Sequence, residues 1–272
     1  MAGADGAARI GTEEVRVAGT RTAPRATRGG RAGRVALGGV GVLGELLVTA
    51  GVLLGLFVVW QLWWTSVEAE GEAQALMADF QQTLPQAPRV AGELRTDEPP
   101  VPEAVAPGEV LGVLVVPEWY GRTDNAMPIL EGTTQAVLDK AAAGHYTETQ
   151  QVGEVGNFAL AGHRRSHGNS FRYVDDLEPG DQVVVETGNA WYVYEVTGHE
   201  VVLPTQVEVV APVPNEPGAV PAERLLTLTT CHSPTLGEYG NSHRWITYAK
   251  LVGWMDRADG MPESVLSDPA VL

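Results

Sequence analysis

Hydrophobic positions along this chain fall into two regimes. Between Val35 and Trp64 they are nearly continuous: the run carries one charge, Glu45, and its part from Leu46 to Trp64 carries none. A run of that length crosses the hydrocarbon layer as a helix, so residues 35–64 are read as a transmembrane anchor with Trp60, Trp63 and Trp64 at its outer interface. A cleaved signal peptide fits less well, because the run exceeds a typical signal core and no clear small-x-small site precedes Glu68. Residues 1–34 are rich in Arg, Gly, Ala and Thr and have little to bury, which predicts a disordered basic tail. Residues 65–108 read as stalk and linker: helix formers from Glu68 to Leu84, then six prolines between Pro85 and Pro107.

From residue 109 to about 256 the pattern changes to short apolar runs separated by turn residues. Leu111–Val116, Asn157–Gly162, Asp181–Glu186, Trp191–Thr197, Arg224–Cys231 and Trp245–Val252 read as strands, the third and fourth joined at the Gly188-Asn189 turn. One helix is expected at Thr134–Ala142 and a helical turn after Phe171. Many short strands with few helices predict a mainly β domain, closed or nearly closed into a barrel. Residues 257–272 read as a polar tail.

Charge orients this plan. Seven arginines against three acids precede residue 35, whereas thirty acids face eleven basic residues from residue 65 onward. Positive charge on the N-terminal side of the anchor predicts a cytoplasmic N-terminus and an extracellular domain. The acidic domain argues against nucleic acid as a partner. Outside the cell a single cysteine, Cys231, has no internal disulfide partner, leaving a free thiol, an inert buried one or an intermolecular bridge.

Strand alternation narrows the chemistry. Leu225, Thr227, Thr229 and Cys231 share one face, and His232 points to the other, so the proton partner of Cys231 must come from another segment. His163, ending a small-residue strand in Ala161-Gly162-His163-Arg164, is the first choice, with His167 as the alternative base. On a helix these two histidines would pair as metal ligands, but Gly162, Gly168 and Asn169 predict a loop, so neither a metal nor a cofactor is assigned. His145, His199 and His243 read as surface or structural histidines. An ordinary thiol is mostly protonated at neutral pH, and a neighbouring imidazolium favours the reactive thiolate, a pairing suited to acyl transfer. Arg244 opens the strand after the cysteine loop; its guanidinium either stabilises an oxyanion or pairs with a surface acid.

Three motifs follow one another along the chain: Gly162-His163-Arg164, then Thr227-Leu228-Thr229-Thr230-Cys231, then Arg244 one loop beyond the cysteine. In this order and spacing the chain resembles the sortases, most closely class E, the housekeeping-like class of high-GC actinobacteria. Gly144-His145-Tyr146 and Glu178-Pro179-Gly180-Asp181 add to the resemblance. It implies a closed eight-stranded β-barrel with one or two short helices, in which Cys231, His163 and Arg244 are catalytic. The implied reaction cleaves an exported protein's C-terminal LAxTG- or LPxTG-like sorting signal between Thr and Gly through a Cys thioester, then joins the protein to an amine of a peptidoglycan precursor. Tyr120, or Trp119 beside it, is the implied determinant of the signal's second position, and Thr229 and Thr230 are implied beside the substrate. The chain departs from the class pattern at Ser233, which intervenes before Pro234, and it shows no lid motif or second anchor of a pilus-building member. A secreted cysteine peptidase and a tethered, catalytically silent wall-binding module are the competing readings.

Overall fold

The computed structural model describes residues 29–122, 125–233 and 241–267. Positions 1–28, most of the expected basic tail, and the Pro234 departure lie outside the described residues. The chain divides into two compact units, residues 1–55 and 56–272. A single helix, α1 (Gly29–Gln82), takes in the last residues assigned to the tail, the whole predicted anchor and most of the predicted stalk helix. No proline interrupts these 54 residues, so nothing in the backbone ends the helix between anchor and stalk. Its apolar part is long enough to cross a membrane, and Leu43, Leu46, Leu53, Leu56, Trp60 and Trp64 are among the side chains exposed along it.

Within the second unit the C-terminal part of α1 is packed. Ala69 and Ala73 close against Ala141, Lys140 pairs with Glu72 at 2.9 Å, and Met77 and Phe80 lie against a cluster that includes Val113, Val115 and Trp191.

Eight strands form the closed barrel: β1 (Val110–Val115), β2 (Ala126–Glu131), β3 (Ala143–His145), β4 (Gly156–Gly162), β5 (Gln182–Glu186), β6 (Ala190–Val202), β7 (Arg224–His232) and β8 (His243–Asp256). Their spatial order is β1-β2-β3-β4-β7-β8-β6-β5, and β5 pairs back on β1. The β2–β3 and β4–β7 pairs are parallel and the others antiparallel. Six strands match the sequence reading. Pro128 inside β2 and the short length of β3 hid the other two. The predicted helix at Thr134–Ala142 contracts to one turn, α2 (Gln135–Leu138), because Ala141 adopts a left-handed φ of 53°. A short 3-10 turn follows Phe171 at Val174–Asp176.

The barrel interior is filled from alternate positions: Phe158 and Leu160 from β4, Leu226 and Leu228 from β7, Val183 and Val185 from β5, Tyr192 and Tyr194 from β6. Each large apolar side chain fully buried in this way contributes roughly 1.5–3 kcal/mol. Burial also pushes the Tyr192 phenol up to about 12.

Two segments read as spacer and tail are parts of this domain. Arg95 exchanges backbone hydrogen bonds with Trp254 at 2.7 and 2.9 Å, its guanidinium lies 4.2 Å over the Trp254 ring, and the indole donates to the Asp97 carbonyl. Tyr192 donates its hydroxyl to the Pro100 carbonyl at 2.7 Å. Beyond β8, Arg257 pairs with buried Glu186 at 2.8 Å and donates to the Pro85 carbonyl, while Met261 and Val265 are buried, the latter in α3 (Glu263–Leu266). The linker therefore straps the barrel, held by partners so distant in the chain that no local pattern reveals them.

Candidate active site

Strand register brings the predicted residues together. In the parallel β4–β7 pair, Ala161 lies opposite Thr229 and Gly162 opposite Thr230. Extending that register by one position sets His163 beside Cys231, and a further step sets Arg164 beside His232. The second pair is bonded, Arg164 Nη1 donating to His232 Nδ1 at 2.6 Å. On the other side of β7, Cys231 lies directly opposite Arg244 of β8. Adjacent strands lie about 5 Å apart and alternate residues share a face. Cys231 thus sits between the end of β4, which runs into His163, and Arg244 of β8.

A cleft of about 340 Å³ opens at these strand ends, lined by His163, Arg164, Ser166, Asp175, Cys231 and His232 among others. A larger cavity, about 960 Å³, is lined by Gln81, Trp191 and Arg257 and holds none of the predicted residues; its size reflects the seam under the strap, so the smaller cleft is the one that matters for the chemistry. Cys231 is a half-buried free thiol.

His163 Nε2 donates to Asp139 Oδ1 at 2.8 Å, just past the end of α2. A carboxylate only accepts, so this bond fixes the proton on Nε2 and leaves Nδ1 of the neutral ring as the nitrogen able to take a proton. Asp139 escaped the sequence reading: it lies well before His163 in the chain with no motif around it, and only the fold joins them. The loop after β4 is held by two glycines. A Cβ on Gly162 would meet the Phe171 ring at 2.8 Å, and one on Gly168, at φ 84°, would meet the Ala141 Cβ at 2.3 Å.

Arg244 Nη1 donates to the carbonyls of Asn241 and His243, each at 2.9 Å, and the residue does not line the cleft. The Nε and Nη2 donors of its fork lie outside those two bonds. Arg164, which does line the cleft, is committed elsewhere: besides His232 it pairs with Asp175 at 2.5 Å. Burial first, and then the Arg164 charge, push the His232 imidazole down from its ordinary value.

Tyr120 is half exposed in the loop after β1 and does not line the cleft, whereas Trp119 is wholly buried, donates to the Tyr173 carbonyl at 3.1 Å and packs on Phe171. Trp119 is a core residue, which removes it as a surface contact for substrate. Thr229 and Thr230 are buried, their hydroxyls donating to the Leu160 and Gly162 carbonyls at 3.3 and 2.7 Å, and Tyr146 adds a 3.0 Å bond to Thr229. These bonds tie β7 to β4 beside the cysteine. His145, fully buried, bridges Glu131 and the Gln150 carbonyl.

The family model described as Sortase domain matches residues 121–252. Sortase SrtE2 of Streptomyces coelicolor is 36% identical over 243 residues, covering 85% of this chain and 88% of the relative. The chain belongs to the sortase family. It falls in class E, and sortases are cysteine transpeptidases. Sortase SrtE1 of the same organism is 36% identical over 232 residues, 83% of this sortase but 60% of the relative's own length. Among solved structures, the SrtA sortase from Actinomyces oris is 64% identical with a TM-score of 0.62, over 65% of this chain and 98% of that one. The closed eight-stranded barrel is thus the sortase fold, and Cys231 with His163 lies at its open strand ends.

Proposed function

We propose that this sortase cleaves a C-terminal LAxTG- or LPxTG-like sorting signal between Thr and Gly and joins the exported protein to an amine of a peptidoglycan precursor. What supports the reading is that Cys231 lies opposite Arg244 in the β7–β8 register, while His163 follows the last residue of β4 and lines the same cleft as Cys231. The Cys231 thiolate attacks the Thr carbonyl, and the developing oxyanion takes donors from Arg244, whose fork turns from the Asn241 and His243 carbonyls toward it. Collapse breaks the C–N bond as the His163 imidazolium gives its Nδ1 proton to the leaving amine, leaving a thioester. The acceptor amine then attacks the thioester, its proton returns to His163 and the thiolate is regenerated. Tyr120 contacts the second residue of the signal, and Thr229 and Thr230 hold the cysteine strand beside the substrate. The anchor in α1 keeps the domain at the outer membrane surface with the N-terminus in the cytoplasm, which the arginine bias supports.

Mass spectrometry of the full chain in detergent, incubated with LAxTG and LPxTG peptides with and without triglycine, tests this directly. Cleavage after Thr with transfer to the amine, dependent on Cys231, is the expected result. Hydrolysis with no transfer at any amine concentration would make the protein a peptidase, and no Cys231 thioester would leave a binding module.

A further inference from the structure

The loop expected to keep His163 and His167 apart does the opposite. Three successive left-handed residues, His167 at φ 47°, Gly168 at 84° and Asn169 at 57°, fold it back so that the two imidazoles lie 5.3 Å apart, centroid to centroid. Asp139 stands between them: its Oδ1 is 2.8 Å from His163 Nε2 and 3.4 Å from His167 Nδ1. The ligand atoms of the three residues all lie within 4.8 Å of one another. The His167 contact to Asp139 is an ion-pair distance without hydrogen-bond geometry, and Nδ1 is a buried nitrogen with no hydrogen-bond partner. A non-glycine residue held left-handed costs about 1 kcal/mol or more, yet here that conformation aims a ring at a carboxylate it does not bond.

We infer that Asp139, His163 and His167 form a binding site for a divalent transition metal, Zn²⁺, that reversibly switches off acyl transfer. Two imidazoles and one carboxylate are a zinc donor set with a fourth position for water, and an ion about 2.0–2.1 Å from each ligand needs them roughly 3.3 Å apart, near the 2.8 and 3.4 Å that separate Asp139 Oδ1 from the two imidazole nitrogens. Calcium and magnesium prefer all-oxygen shells and are poor fits. Zinc takes the Nε2 lone pair of His163, and the proton that Nε2 now gives to Asp139 passes through solvent to Nδ1. The ring is forced into the Nδ1–H tautomer and can no longer accept a proton at the nitrogen that serves Cys231. The inhibition rests on the proposed role of His163; the binding does not.

The experiment uses the full chain in detergent, titrated with Co²⁺ as a spectroscopic probe and with Zn²⁺ in competition with a chromophoric chelator. One ion per chain and visible Co²⁺ bands are expected. His167→Ala and Asp139→Ala each weaken binding by about tenfold or more, whereas Cys231→Ala leaves it within about threefold. Zinc blocks peptide transfer and a chelator restores it, and His167→Ala, active without zinc, needs at least about tenfold more zinc to be blocked. The absence of stoichiometric binding, wild-type affinity in His167→Ala, or loss of binding in Cys231→Ala, which would mean a thiolate site, overturns the inference. The Co²⁺ bands need no turnover, so the metal site stands or falls on them whether or not the chain transfers peptides.

Discussion

The cleft edge and the strapped flank are built from the same barrel and end in opposite states. At the flank, residues 91–100 and 257–266 are held to each other and to the barrel by backbone bridges, the Trp254–Asp97 hydrogen bond and a buried Arg257–Glu186 pair. At the edge, β4 and β7 run out into a cleft, and Cys231, His163 and Asp139 stay partly open to solvent, the side-chain exposures being 23% for His163 and 29% for Asp139. The flank shows how a chain read as spacer becomes structure once it finds distant partners. The edge shows that reactive groups are left incompletely covered where substrate must enter. Changes at the edge are therefore expected to remove activity without unfolding the domain, and changes at the flank to do the reverse.

The largest effect is expected from Cys231→Ala, which should abolish peptide cleavage and transfer, with His163→Ala lowering both by at least about a thousandfold. Both should melt within a few degrees of wild type in detergent; a large drop in melting temperature would break the distinction between edge and flank. Arg244→Lys should lower kcat by about a hundredfold, since one ammonium cannot reproduce the guanidinium fork. An unchanged rate would move oxyanion stabilisation to another donor at the cleft.

At the flank, Arg257→Ala leaves Glu186 buried without its partner and should cost about 3 kcal/mol of stability at neutral pH while sparing the per-molecule rate of folded enzyme. Burial raises the Glu186 carboxyl above its ordinary value of 4.5, against the pull of Arg257. The folded state therefore holds this proton more tightly than the unfolded one, and the stability contribution of Glu186 falls as pH rises from about 4.5 through the raised value. The cost of Arg257→Ala should accordingly shrink when melting is followed toward acid pH.

Gly168→Val places a β-branched residue at φ 84° against Ala141 and should cost about 1–2 kcal/mol. Because the same loop carries His163, its transfer rate should fall as well, making it the variant that joins both effects. The smallest change is expected at His232. Its folded imidazole sits below the ordinary value of 6.5, so the unfolded state takes up a proton first and stability falls as pH drops through about 6.5 toward the lower folded value. His232→Gln should flatten that part of the melting-temperature profile and leave stability above about pH 7 nearly unchanged.

Much of the barrel was legible because β strands declare themselves by alternation: in β7 the apolar and hydroxyl positions from Arg224 to Cys231 fix which side chains share a face. β2 and β3 were not legible, since Pro128 in one and the brevity of the other defeat any periodic signal. The docking of the linker was not legible for a related reason, that the prolines of 85–107 describe local stiffness and say nothing of distant partners. Asp139 carries no local mark at all.

The sequence alone set the candidates for the chemistry, because a lone cysteine beyond the apolar run, a histidine at the end of a small-residue strand and an arginine opening the next segment are local facts tied to residue type, and their order along the chain carries the resemblance to the sortases. It also determined the apolar helix long enough to cross a membrane, which depends only on a run of side chains. The tertiary structure decided what touches what: that parallel pairing of β4 with β7 brings His163 beside Cys231 from a distant part of the chain, that Asp139 and His167 close around the same imidazole, and that residues 91–100 belong to the domain. Local sequence sets which conformations a segment can adopt, but contact between distant segments is set by how the closed sheet buries its interior, and that is a property of the whole chain.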